Sequence, residues 1–119
     1  MKKILLADDE SVVCEFLENF LSAQLYDVAS VRSGGEAVEK VQSWKPDLLL
    51  LDVQMPGMNG LQALSEIRTF QSHLKVIMLT GEGDPSIIEK ILQLGANHYI
   101  TKPFKLDYLL KQIKEAFES

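Results

Sequence analysis

Five short apolar runs, each separated from the next by a stretch of helical periodicity, constrain this chain more than any other feature. They lie at residues 4–7, 28–31, 48–51, 76–79 and 98–100. The third, Leu48-Leu49-Leu50-Leu51, has no polar alternation, as expected of a strand covered on both faces of a parallel sheet. Leucine alone suits a helix equally, but Pro46-Asp47 before the run and Pro56-Gly57 after it limit its length and favour a strand. Between the runs lie five helical patterns. The first carries Val13, Phe16, Leu17, Phe20 and Leu21; the second opens Ser33-Gly34-Gly35-Glu36, with the spacing of a capping box. The third opens at Asn59 and places Leu61, Leu64 and Ile67 on one face. The fourth opens Asp84-Pro85, carries Ile87, Ile88, Ile91 and Leu92, and ends at Gly95; the fifth spaces Leu106, Leu109, Leu110, Ile113 and Phe117 helically. Parallel neighbours need right-handed helical crossovers, so the alternation predicts an α/β fold. The expected form is a doubly wound, five-stranded parallel sheet of order 2-1-3-4-5 with helices on both faces.

At 119 residues the chain fits one domain, expected over 1–119, with no linker or repeat inside it. The fifth helix is expected to take nearly all residues to the end, leaving neither linker nor output domain within the 119 residues. Seventeen acids against twelve bases give a net charge of -5, and this argues against non-specific nucleic-acid binding. The lone Cys14 excludes a disulfide framework and every CxxC motif. The opening apolar run stops at Asp8-Asp9-Glu10, too short for a signal peptide, and no other run approaches a membrane span. A soluble, cytoplasmic chain is expected.

In such sheets ligands bind outside the carboxyl ends of the strands. There the pattern places Asp8-Asp9 after strand 1, Asp52 after strand 3, Thr80 after strand 4 and Lys102 after strand 5. Each has a plain reading: a helix cap for Asp8 or Asp9, a turn for Asp52, a loop cap for Thr80, a snorkelling stem for Lys102. Jointly those readings are weak, because three acids at one edge repel and call for a cation. Carboxylate and carbonyl oxygens suit a hard ion such as Mg2+. Lys102 adds a positive charge that a phosphoryl oxygen would accept.

At this point the sequence closely resembles the receiver domains of two-component response regulators, over essentially its whole length. The resemblance rests on Asp8-Asp9, then Asp52-Val53-Gln54-Met55-Pro56-Gly57-Met58-Asn59-Gly60, then Thr80-Gly81, Gly95-Ala96, and Tyr99-Ile100-Thr101-Lys102-Pro103-Phe104, in order. It implies the flavodoxin-like sheet already derived. It implies Asp52 as phosphoacceptor, attacking the phosphorus of a phosphohistidine. Mg2+ would be held by Asp9 and Asp52 directly, by Asp8 through water and by the Gln54 backbone carbonyl, with Mn2+ or Ca2+ as substitutes. Lys102 would pair with one phosphoryl oxygen and Thr80 would donate to another. Thr80 would move inward and Tyr99 would turn into the vacated space, repacking the surface of helix 4, strand 5 and helix 5. Gln54 and Glu82 would tune the lifetime of the phosphoryl group, and Lys102-Pro103 would be cis. The implied partners are a histidine kinase or histidine phosphotransfer protein and a downstream target or output domain. The chain would be a monomer or weak phosphorylation-dependent dimer, and would not itself bind nucleic acid or membrane.

Other residues have less distinctive readings. Apolar positions from Val12 to Leu21 cover about half the circumference of helix 1, wider than the roughly 100° stripe that a surface helix buries. This leaves either a deeply buried helix or an edge for a kinase's helical histidine domain. Cys14 reads as packing, His73 and His98 as structural or solvated, Gly34-Gly35 as a turn without a Walker lysine. Tyr108 falls off the stripe of helix 5, towards the signalling face. Among rivals, a haloacid-dehalogenase-like phosphatase expects Asp where Gln54 stands. A flavodoxin-like electron carrier expects Ser, Thr and Gly where Asp8-Asp9-Glu10 stand. A pseudo-receiver would lack site residues that are all present.

Overall fold

In the computed structural model, which describes residues 1–81 and 84–119, strands and helices alternate throughout. The order is β1 (Lys3–Ala7), α1 (Ser11–Ala23), β2 (Asp27–Val31), α2 (Gly34–Trp44), β3 (Leu48–Asp52), α3 (Gly60–Phe70), β4 (Lys75–Thr80), α4 (Pro85–Gln93), β5 (His98–Thr101) and α5 (Leu106–Glu118). The strands form one sheet of order β2-β1-β3-β4-β5, with every pairing parallel.

All five residues of β3 are buried. This resolves the ambiguity of the leucine run by magnitude. Helix preference of leucine over a β-branched residue amounts to a few tenths of a kcal/mol, whereas burying each side chain contributes about 2 kcal/mol. Period-two alternation then divides the strand side chains between two cores. Leu5, Ala7, Leu49, Leu51, Val76 and Met78 pack with residues of α2, α3 and α4, among them Val41, Leu64, Ile67 and Ile91. Ile4, Leu6, Leu48, Leu50, Ile77 and Leu79 face the other way, against Cys14, Leu17 and Leu21 of α1 and Leu109 and Ile113 of α5. No helix among the described residues is long and apolar enough to cross a membrane.

The starts of α2, α3 and α4 follow the sequence signals with one correction. Asn59 accepts from the Gln62 amide at 2.9 Å while the Gln62 side chain accepts from the Asn59 amide at 3.0 Å, a complete capping box on α3. Asp84 accepts from the Ser86 amide at 2.9 Å, with Pro85 in the first turn of α4. At α2 the box predicted for Ser33 and Glu36 is only half formed. Ser33 accepts from the Glu36 amide, but the Glu36 carboxylate takes the amide of Arg32, one residue earlier, and the Ser33 hydroxyl. The extended Ser33 backbone (φ -147°, ψ 161°) accompanies this shift.

Two glycines bring the connection between β3 and α3 close to its neighbours. A β-carbon on Gly60 would lie 2.1 Å from the Asp52 carbonyl oxygen, and one on Gly34 would lie 2.3 Å from the Met58 carbonyl oxygen. Only hydrogen fits at either place. The far side of the molecule is tied by Arg68, whose guanidinium donates to the carbonyls of Gln71, Leu74 and Gly95.

Candidate functional site

Strand register delivers the candidate residues to one edge. Ala7 pairs with Leu51, so Asp8 follows β1 level with Asp52 at the end of β3. Asp52 pairs with Leu79 and Thr80 with Thr101, so Thr80 stands one step further along and Lys102 two. Asp8, Asp52 and Thr80 are buried although polar, and Asp9 is exposed beside them. Lys102 is fixed by its amide, which donates to the Thr80 carbonyl at 2.8 Å. Its peptide bond to Pro103 is cis, as expected from the resemblance.

The Lys102 Nζ donates to Asp8 Oδ2 and to Asp52 Oδ2, at 3.0 Å in each case. The other oxygens of the same carboxylates take backbone amides: Asp8 Oδ1 accepts from Glu10 at 3.0 Å, and Asp52 Oδ1 accepts from Gln54 at 3.2 Å. The plain reading of Asp8 or Asp9 as the cap of α1 is corrected: the N-cap is Glu10, which makes no side-chain cap of its own, and Asp8 takes the Glu10 amide just ahead of the helix. Asp8 is also held from behind, where the Cys14 thiol donates to its carbonyl at 3.2 Å. Cys14 is buried packing, and that burial is the first cause raising its pKa, with the Asp8 charge second.

One ammonium between two carboxylates leaves an unbalanced negative charge. Burial pushes the Asp52 carboxyl up despite the lowering effect of Lys102, and the nearby Asp8 charge pushes in the same direction. Burial would pull Lys102 down, but the hydrogen bonds to Asp52 and Asp8 outweigh it and hold the ammonium protonated. Asp9 adds a third carboxylate. One carboxylate oxygen from each of Asp8, Asp9 and Glu10 lies within 4.8 Å of the other two. A dense, oxygen-only donor set with excess negative charge fits a hard divalent ion. Glu10 belongs to this cluster and was missed in the sequence reading, where its position directly after Asp8-Asp9 was the available signal. Asp52 meets the cluster through the ammonium it shares with Asp8.

A cleft of about 620 Å³ opens at this edge, lined by Asp9, Gln54, Met55, Asn59, Thr80 and Ile87. Thr80 is already buried, and Tyr99 is half-buried against the core on the α4 side of the sheet. Glu82 lies outside the described residues. His73 is exposed. On the other side of Lys102 is a second, apolar groove of about 660 Å³ with Val12, Phe16, Pro103, Phe104 and Leu106 in its wall. The wide apolar arc of α1 therefore has two fates: Leu17 and Leu21 are core, while Val12 and Phe16 are 78% and 57% exposed.

The model of the response regulator receiver domain family matches residues 4–114. A receiver domain protein from Methanospirillum hungatei superposes with a TM-score of 0.96 at 30% identity, over 99% of this chain and 94% of that one. The chemotaxis protein CheY4 of Vibrio cholerae gives 0.92 at 29% identity, over 98% of both chains. NtrX from Brucella abortus gives 0.91 at 29% identity, over 99% of this chain but only 27% of its own, so there the similar region is one part of a longer protein. The chain belongs to the response regulator receiver domain family, whose members are phosphoacceptor modules of two-component signalling and not classical enzymes.

Proposed function

We propose that Asp52 receives a phosphoryl group from the phosphohistidine of a histidine kinase or histidine phosphotransfer protein. The observation that carries this reading is the single Lys102 ammonium bridging the two buried carboxylates Asp8 and Asp52. An oxygen of Asp52 attacks phosphorus, the P–N bond to the imidazole breaks with its electron pair going to nitrogen, and an aspartyl phosphate results. Lys102 exchanges its contact with the Asp52 oxygen for one with a phosphoryl oxygen, and keeps Asp8 as its second partner. Asp8 (through water), Asp9, Asp52 and the Gln54 carbonyl would hold Mg2+, for which Mn2+ or Ca2+ could substitute, with Glu10 adding charge beside them. Bound there, the ion offsets the repulsion between carboxylates and phosphoryl oxygens.

Thr80 donates to a phosphoryl oxygen. The adjustment passes to Tyr99 and so to the α4–β5–α5 surface, which controls a downstream target or output domain. Gln54 and Glu82 set how readily water reaches the phosphoryl group. The groove with Val12, Phe16 and Phe104 in its wall is the docking place for the donor's helical histidine domain, since it adjoins Lys102 and presents exposed apolar side chains.

Incubation with acetyl phosphate and Mg2+, read by intact mass, tests the assignment. One phosphoryl addition is expected in the wild type and none in Asp52→Asn. An undiminished adduct in Asp52→Asn, or no adduct in the wild type, would sink it. An unchanged phosphoryl half-life in the Gln54→Ala, Glu82→Ala double variant would remove those two residues from the scheme.

A further inference from the structure

His98 and Tyr108 have no task in the reading so far, yet the fold joins them. His98 opens β5, the last strand of the sheet, and Tyr108 stands in the first turn of α5. The His98 Nε2 and the Tyr108 hydroxyl are 3.3 Å apart, within hydrogen-bond reach, and their ring centroids are 6.5 Å apart. The same imidazole is stacked with the ring of Tyr99 at 5.8 Å and an interplanar angle of 27°. Neighbouring residues of a strand leave on opposite faces. Tyr99 accordingly packs against the core on the α4 side, and His98 turns towards α5. The contact between their rings therefore runs around the free edge of the sheet.

We infer that His98 is a positioning residue that clasps the Tyr99 ring to α5 through Tyr108. The inference rests on the proposed role of Tyr99 as the switch. A displaced Tyr99 ring loses its stacking on the imidazole, and an imidazole free to follow it loses the Tyr108 hydroxyl. The clasp thus favours the observed place of Tyr99 over any other. By the reciprocity of coupled equilibria, a partner that moves Tyr108 also biases Tyr99. A merely structural pair would fasten α5 to β5 and leave the Tyr99 ring indifferent to the Tyr108 hydroxyl.

The chain has three tyrosines, so their ring 1H–13C signals can be followed individually in the full protein labelled with 13C-tyrosine. The decisive variant is Tyr108→Phe, which keeps the ring on an exposed site and removes only the hydroxyl. The Tyr99 signals are expected to move in this variant without phosphorylation. The movement should correspond to a change of roughly two- to five-fold in the ratio of its placements, the effect of one partly exposed hydrogen bond. The same substitution made in a His98→Ala background should leave the Tyr99 signals where His98→Ala alone puts them. Tyr99 signals that coincide in wild type and Tyr108→Phe, or a Tyr108→Phe effect that persists without His98, overturn the clasp. Phosphorylated wild type separates this from the reading beneath it. Tyr99 signals that ignore phosphorylation remove the switch and the clasp together, whereas signals that respond to phosphorylation but not to Tyr108→Phe remove the clasp alone.

Discussion

Replacing Gly60 by alanine should disable the site without touching any side chain in it. The added β-carbon would stand 2.1 Å from the Asp52 carbonyl oxygen, 2.8 Å from its carbonyl carbon and 2.9 Å from the Val53 Cα. All three are backbone atoms at the end of β3, so no flexible side chain can yield. A carbon–oxygen contact needs about 3.2 Å, so the start of α3 must withdraw by roughly 1 Å. Overpacking of this kind costs about 1–3 kcal/mol, and it pulls on the 2.8 Å bond from the Gly60 amide to the Val53 carbonyl. The same shift disturbs Asp52 against Lys102, now at 3.0 Å. A misplacement near 1 Å at reacting groups costs on the order of 100-fold in rate. The assay is the rate of phosphoryl addition from acetyl phosphate and Mg2+, at a temperature where circular dichroism shows both proteins folded. Unfolding in urea, followed by fluorescence of Trp44 at the end of α2, gives stability separately. Gly35→Ala is the control. No atom lies within 4 Å of a β-carbon there, so the variant should keep its rate and gain about 0.5–1 kcal/mol from its helical position. A Gly60→Ala protein phosphorylated within about three-fold of wild type would refute the reasoning, since the 1 Å estimate then has no consequence at the reacting groups.

Asp52→Asn should stabilise the protein by about 1–2 kcal/mol at neutral pH, because it removes a buried charge beside Asp8 while leaving Lys102 its other partner. The folded carboxyl of Asp52 is raised above its unfolded value, so wild-type stability rises as pH falls through the raised value towards the unfolded one near 3.8. The advantage of the variant should shrink over that window, as urea midpoints at successive pH values would show. Arg68→Ala leaves the carbonyls of Gln71, Leu74 and Gly95 without their charged donor and should cost about 2–3 kcal/mol in the same measurement, with the phosphorylation rate changed little. Leu25→Gly relieves a left-handed backbone (φ 69°) at a side chain that is 74% exposed, and should raise stability by about 0.5–1 kcal/mol. A drop instead would mean that the Leu25 side chain makes a contact worth more than the strain.

Much of this architecture was legible because it is written in periodicities. The unbroken run of β3, the alternating faces of β1 and β4 and the Asn59 cap each follow from local chemistry, and the order of the strands follows from the parallel crossover rule. Asp8, Asp52, Thr80 and Lys102 then fell into place from a topological rule alone. What stayed hidden depends on distances between elements. The width of the apolar arc on α1 was visible, but which part α5 leaves bare was not, and Val12 and Phe16 answer that only in three dimensions. His98 and Tyr108 look unrelated at ten residues' separation until β5 and α5 are set side by side. The Glu36 carboxylate accepts the Arg32 amide and the Ser33 hydroxyl but not the Ser33 amide, a choice between adjacent amides that the spacing of residues alone does not decide. Gly60 carries no signal of the 2.1 Å approach behind it.

The lysine bridge also has a meaning along the chain. Lys102 is 94 residues from Asp8 and 50 from Asp52, and the three meet only when β1, β3 and β5 are all seated. Contacts between positions so distant are the ones that the closing of large loops must precede. A chain with β5 out of place lacks the Lys102 ammonium that bridges Asp8 and Asp52. The charge state of the site is therefore a readout of whether the first and last strands have joined the same sheet. On the proposed role of Asp52, competence to take a phosphoryl group arrives with the completed fold and not before it.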